Sequence, residues 1–259
     1  MSRIGVLLAA FMAVGFFGVA SVSAYQEAAV SNGGAVSGKI TYKGTPPPPE
    51  HFRVEKNPEF CGAERDFYHI KVDKGALLHA IVLIEGVQKG KPLGSSVVEL
   101  VGENCAFLPF TNVVPRTGKG RKGSPFMHVV NKDTVIHNPH TFEIVIDKRG
   151  MQIRRSLFNI GLPRQGSELK KKLLVRRSPI VKLQCDQHDF MHSWVRVVKN
   201  PYWTIVGKDG SYKIDQIPPG KYNLVAWHPI LGEQKRAVTV GANGAISTNF
   251  TFSGTGSGR

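Results

Sequence analysis

The most constraining feature of this chain is the run Cys185-Asp186-Gln187-His188-Asp189-Phe190-Met191, taken with His137 in Ile136-His137-Asn138-Pro139-His140. A thiol, an imidazole and a thioether follow one another at even spacing, so one tight loop can bring all three to a single point. A distant strand then has to supply the second imidazole. This is a donor set for a soft, redox-active metal. Sulfur holds Cu(I), imidazole suits both oxidation states, and a long axial thioether helps set the potential.

Around these residues the chain resembles the cupredoxins, most closely amicyanin-type and plastocyanin-like proteins. Residues 129–140 are similar to the family's H-N-x-H strand end, and residues 184–198 to its C-x-x-H-x-x-M loop and last strand. The resemblance covers roughly residues 105–200. It implies a Greek-key β-sandwich that holds one type 1 copper ion and shuttles single electrons. His137, Cys185 and His188 would be equatorial ligands and Met191 the axial one. Asn138 would hydrogen-bond near the copper-bound sulfur, and His140 matches a second, non-ligand histidine. The electron would leave through a solvent-side edge of His188, near Phe190 and Met191.

The chain departs from the family at Asp186 and Asp189, which put carboxylates where neutral residues are usual, and in a longer separation of His137 from Cys185. Three other readings stay open. Cys185, His137 and His188 could hold zinc, although a thioether is a poor zinc ligand. His192, directly after Met191, is a second candidate for the axial place. The motif could also be a chance arrangement of a buried cysteine, a surface histidine and a core methionine. No Ser-His-Asp arrangement, paired-carboxylate signature or phosphate loop is evident, so the chain reads as a non-enzyme.

Residues 1–24 read as a secretory signal peptide, with Arg3 as the positive start, an apolar stretch from Ile4 to Ala20 and Val22-Ser23-Ala24 as the cleavage site. An uncleaved anchor is the alternative. Export to the periplasm or outside would permit disulfides. The chain has three cysteines. If Cys185 binds metal, Cys61 and Cys105 remain as a natural pair, the alternative being two separate buried thiols. No C-x-x-C-H occurs, which excludes covalent c-type haem.

The formal net charge is +15, and residues 116–182 alone carry 16 Lys and Arg against 4 acids. Such a field would steer an acidic redox protein, a cytochrome or dehydrogenase, toward the copper region. An anionic membrane surface or acidic polysaccharide would also suit it, and a merely solvated face is the plain reading. Export argues against nucleic acid as the partner.

The rest reads as strand and turn. The predicted class is all-β: a cupredoxin sandwich followed by a smaller immunoglobulin- or transthyretin-like sandwich. Residues 147–172 read as basic and irregular. From Pro201 the texture changes. The stretch from Asp209-Gly210-Ser211-Tyr212 through Ile217-Pro218-Pro219-Gly220 to Leu224 resembles carboxypeptidase-regulatory-like (transthyretin-like) modules, which implies a structural unit without catalytic residues. The expected organisation is a β region at 25–104, a copper domain at 105–200, a β module at 201–253 and a Gly/Ser-rich tail at 254–259. About 50 residues is thin for an independent sandwich. The family's usual first strand sits far upstream here, at residues 36–41, which suggests that the start of the mature chain pairs with the C-terminal module and that the copper domain is inserted between them; two consecutive, continuous domains are the simpler alternative.

Overall fold

A computed structural model describes residues 24–254 of the chain. The expected signal peptide, apart from Ala24, and the tail beyond Gly254 lie outside the described residues. Among the described residues, no helix is long and apolar enough to cross a membrane.

The protein is all-β, and its strands form two sandwiches stacked face to face. In the first, a five-stranded sheet is ordered Thr111–Pro115, His192–Val198, Ile180–Cys185, Pro139–Ile146, Gln152–Asn159. It faces a four-stranded sheet ordered Ala106–Leu108, Val97–Glu103, Phe126–Asn131, Glu168–Lys172. The period-2 pattern that makes these segments strands also builds their shared core. Met127 and Val129 on one sheet meet Val181, Leu183, Val195 and Val197 on the other.

In the second sandwich, one sheet is ordered Trp203–Ile205, Ile81–Glu85, Gly220–His228, Gly232–Val240. The other is built on Gly34–Lys43, which pairs antiparallel with Ser211–Ile217 and parallel with Ala245–Ser247 and Phe250–Ser253. The N-terminal and C-terminal parts of the chain thus share one core, with Val36, Ile40, Tyr212, Ile214, Leu224 and Phe250 inside it. Gly38 is required there, because any Cβ at that position would collide with the Thr248 carbonyl.

The two sandwiches meet through the outer faces of their central sheets. Ile144 and Trp194 on the first pack against Ile81, Leu83, Val225 and Trp227 on the second. At about 1.5–3 kcal/mol for each large apolar side chain removed from water, this contact is comparable to a small core. Arg196 lies within the same layer, over the Trp227 ring and paired with Glu233 at 3.2 Å.

The stretch 147–172, expected to be irregular, contains two strands, Gln152–Asn159 and Glu168–Lys172. Both are sheet edges, where exposed charge on the outward positions is normal and masks the strand pattern. Glu143, fully buried, ties the neighbouring loop down. Its carboxylate accepts the backbone N–H groups of Arg176, Arg177 and Ser178 and the Arg155 guanidinium.

A last element positions the candidate site. The hairpin Glu50–Arg53 with Glu64–Phe67 encloses the short helix Pro58–Cys61. Phe52, Val54, Cys61 and Phe67 pack onto the first sandwich's core. A disulfide joins Cys61 to Cys105, with a Cα–Cα distance of 5.6 Å.

Candidate metal centre

Strand register brings the two sequence motifs together. Pro139 is the Cα partner of Cys185, so His137 and Asn138 lie beside the start of the 185–191 loop. The loop closes on itself: the Cys185 N–H donates to the Met191 carbonyl at 3.1 Å, and the Met191 N–H to the His188 carbonyl at 3.0 Å. One nitrogen each from His137 and His188 and the Cys185 sulfur lie within 4.8 Å of one another. His188 Nδ1 is 3.7 Å from Cys185 Sγ. All three residues are buried, and so is Met191, at 1% exposure.

The hydrogen bonds decide which atoms face inward. The Asn138 and Gln187 N–H groups donate to Cys185 Sγ at 3.2 and 3.4 Å. His137 Nε2 bonds the Asp133 carboxylate at 2.8 Å, which leaves Nδ1 buried with no partner. A donor that faces a carboxylate carries the ring proton, so Nδ1 presents a free lone pair to the cluster. Gly102 admits the His137 ring, since a Cβ there would lie 3.0 Å from its Cδ2.

Burial sets the titration of these groups. It lowers the His137 pKa, with Asp133 opposing, and lowers that of His188, with His137 adding to the effect. It raises the Cys185 thiol, with the N–H groups on its sulfur opposing. All three shifts favour the neutral forms of the metal-free protein.

Asp133 is the residue that the sequence reading missed, having been counted only as one of the acids in the basic stretch. Besides His137 it accepts the N–H groups of Asn104 and Cys105, both at 2.8 Å. Those two residues have φ of 52°, a left-handed turn that the carboxylate holds in place. One buried acid therefore orients a site histidine and seats one end of the disulfide. Its position four residues before His137 was the available signal.

The expected solvent-side edge of His188 is absent: the residue is only 2% exposed. The helix Pro58–Cys61 covers it, with His188 Nε2 at 3.6 Å from Cys61 Sγ. Phe190 lies 5.7 Å from the His188 ring and packs against Phe52 of the same cap. His140 stays apart, held by Asp186, Ser156 and Asn159. Asp186 is thereby engaged, whereas Asp189 is exposed. His192 packs against Phe67 and His69 and is not among the gathered donors.

Fold and site together define an all-β protein of two stacked sandwiches, with a buried Cys/His/His cluster in the first. Residues 178–248 match the family model described as polysaccharide lyase family 4, domain II. That match spans the 185–191 loop and the second sandwich's strands from Trp203 to Ser247, but not its strands Gly34–Lys43, Ile81–Glu85 and Phe250–Ser253. No curated protein matches the chain. Among solved structures, the purple cupredoxin from Nitrosopumilus maritimus is 16% identical, over 39% of this chain and 99% of that one, with a TM-score of 0.26. Auracyanin A, a "blue" copper protein from Chloroflexus aurantiacus, is 14% identical over 40% and 100%, with a TM-score of 0.27. The reduced Cu(I) form of an amicyanin mutant is 13% identical over 40% and 83%, with a TM-score of 0.26. Likenesses of this size assign no residue a role.

Proposed function

We propose that the protein is an exported copper protein that carries single electrons. His137, Cys185 and His188 would hold the ion, and the Met191 thioether would contribute a weaker, potential-tuning contact. The observation that carries this reading is the convergence of a thiol and two imidazoles in a buried pocket where the lone pair of His137 Nδ1 has no partner. When bound, copper supplies one-electron chemistry between Cu(I) and Cu(II).

The chain's own groups do the rest. Two N–H groups hold the sulfur and draw charge from it. Asp133 fixes the His137 ring. The closed loop keeps Met191 beside Cys185, and burial keeps water out. A coordination shell held this way changes little between oxidation states, which is what fast transfer needs. The second sandwich is read as a transthyretin-like structural module, and an acidic redox protein as the partner.

Copper titration tests the reading. Binding of one equivalent of Cu(II) should produce an intense visible thiolate band. Cys185→Ser should abolish the band while circular dichroism stays unchanged, and Met191→Leu should keep the copper but shift its potential. A coloured Cys185→Ser variant would refute the assignment. The covering of His188 favours a second reading, a carrier that holds Cu(I) without passing electrons. Such a protein would stay colourless after mild oxidation.

A further inference from the structure

The outer face of the five-stranded sheet carries a feature that the metal reading leaves unused. Lys182 and Gln184 alternate with the core residues Val181, Leu183 and Cys185, and their strand partners are Trp194 and His192. These four side chains line a cleft of about 490 Å³ in the crevice between the sandwiches, which Ile230 of the second sandwich helps to close. Pockets of this size at such junctions are typical small-molecule sites.

Lys182 is only 8% exposed. Its ammonium lies over the Trp194 ring, 5.7 Å from the centroid, and among the described residues it makes no direct ion pair or hydrogen bond; the Glu50 carboxylate acts on it only through space. Burial first and Arg154 second lower its pKa to about 8, with the Glu50 carboxylate opposing, so near neutral pH it is still mostly charged. A buried, charged and unpaired ammonium is costly unless an anion joins it. Arg154 lines the same cleft, exposed and likewise unpaired. Two acids also line it. Glu50 is engaged by His69 at 2.6 Å, and Asp189 sits at the metal-loop end. Apolar lining comes from Pro47, Pro48, Pro49 and Phe52.

We propose that this cleft binds a small organic anion, with its carboxylate between Lys182 and Arg154 and its apolar body against the prolines. Cys185 also lines the cleft, but the anion is held by Lys182, Arg154 and the apolar lining and not by a bound metal.

Calorimetric titration of the full mature chain with benzoate tests it, alongside benzamide (no charge) and inorganic phosphate (no apolar body). Benzoate should bind saturably at one site, and the two controls more weakly. Lys182→Met, which keeps the stem over Trp194, should weaken benzoate by about tenfold or more, the cost of one charge-assisted contact. Arg154→Gln should weaken it severalfold, and its exposed position leaves folding untouched. Lys182→Arg should restore most of the binding. No saturable benzoate binding, equal affinity for benzamide, or undiminished affinity in both charge-removing variants would overturn the proposal. Phosphate binding more tightly than benzoate would also overturn it.

Discussion

Replacing Asp133 by Asn tests whether the His137/Cys185/His188 cluster is organised from behind. The carboxylate is 4% exposed and accepts three N–H donors: Asn104 on Oδ1, and Cys105 and His137 on Oδ2. An amide offers one oxygen and one NH2, so at least one donor loses its partner whichever way the side chain lies. With the NH2 toward Asn104, a single backbone donor is orphaned, at a cost of about 1–3 kcal/mol. With the NH2 toward His137, the ring has to accept at Nε2, and its proton moves to Nδ1, the atom that faces the cluster. Either way the charge that holds the His137 tautomer is gone. Metal affinity should fall roughly 10- to 100-fold, the usual effect of losing such a partner. Urea denaturation of the metal-free protein reads the first effect, and copper competition against a chelator reads the second. Lower stability with unchanged copper affinity would show that His137 is not a ligand. Unchanged stability would show that the Asp133 carboxylate does not bind the 104–105 turn.

Removing the disulfide by Cys61→Ala with Cys105→Ala should cost about 4 kcal/mol in the chain-entropy model for residues 44 apart. It should also speed chelator extraction of copper, because the cap over His188 loses its tether. Reversing Lys170, Lys171 and Lys172 to Glu should slow electron transfer to an acidic acceptor and flatten its salt dependence while leaving the visible band unchanged; a flat wild-type salt series would remove the docking role. Burial lowers His228 to about 3 and His79 to about 4, so both are neutral in the folded protein. Their contribution is complete above the unfolded value of about 6.5 and is lost as pH falls toward the folded values. His228→Gln should therefore shift the acid-unfolding midpoint downward, as followed by circular dichroism, and no shift would place the acid sensitivity elsewhere.

What the sequence revealed depended on whether the signal was local. The 185–191 loop was legible because its three donors are neighbours in the chain, at even spacing. The Asp209-Gly210 turn was legible for the same reason: Gly210 has φ of 78° and Asp209 accepts from Ser211 twice. The disulfide followed from cysteine arithmetic, and the structure contains it. The edge strand Gln152–Asn159 was hidden because charge sits on both of its faces, Arg154 exposed on one and Arg155 reaching the buried Glu143 on the other, which erases the alternation that marks buried strands. Asp133 and Glu143 looked like ordinary acids in a basic stretch. Their importance lies in backbone donors brought to them from residues 104–105 and 176–178, a proximity that no local pattern records.

The covering of His188 came from the same kind of long-range packing, and it bears most on how the site could work. Phe52, Val54, Cys61 and Phe67 belong to the core that also holds Cys185 and Met191, so the roof over the site is continuous with the interior. Opening it would expose apolar surface as well as a histidine edge. A partner, on the proposed copper reading, would receive an electron through this packed layer or from another side of the loop. The inter-sandwich cleft offers such a side, since Cys185 and Asp189 line one end of it. On the proposed copper reading, the cap and the cleft together move electron exit away from His188 and toward the crevice between the sandwiches. Substitutions at exposed Asp189 should then change partner kinetics more than substitutions at Lys56 or Glu59 on the cap. Stopped-flow rates with one acceptor compare them directly, and greater sensitivity on the cap would return the exit to His188.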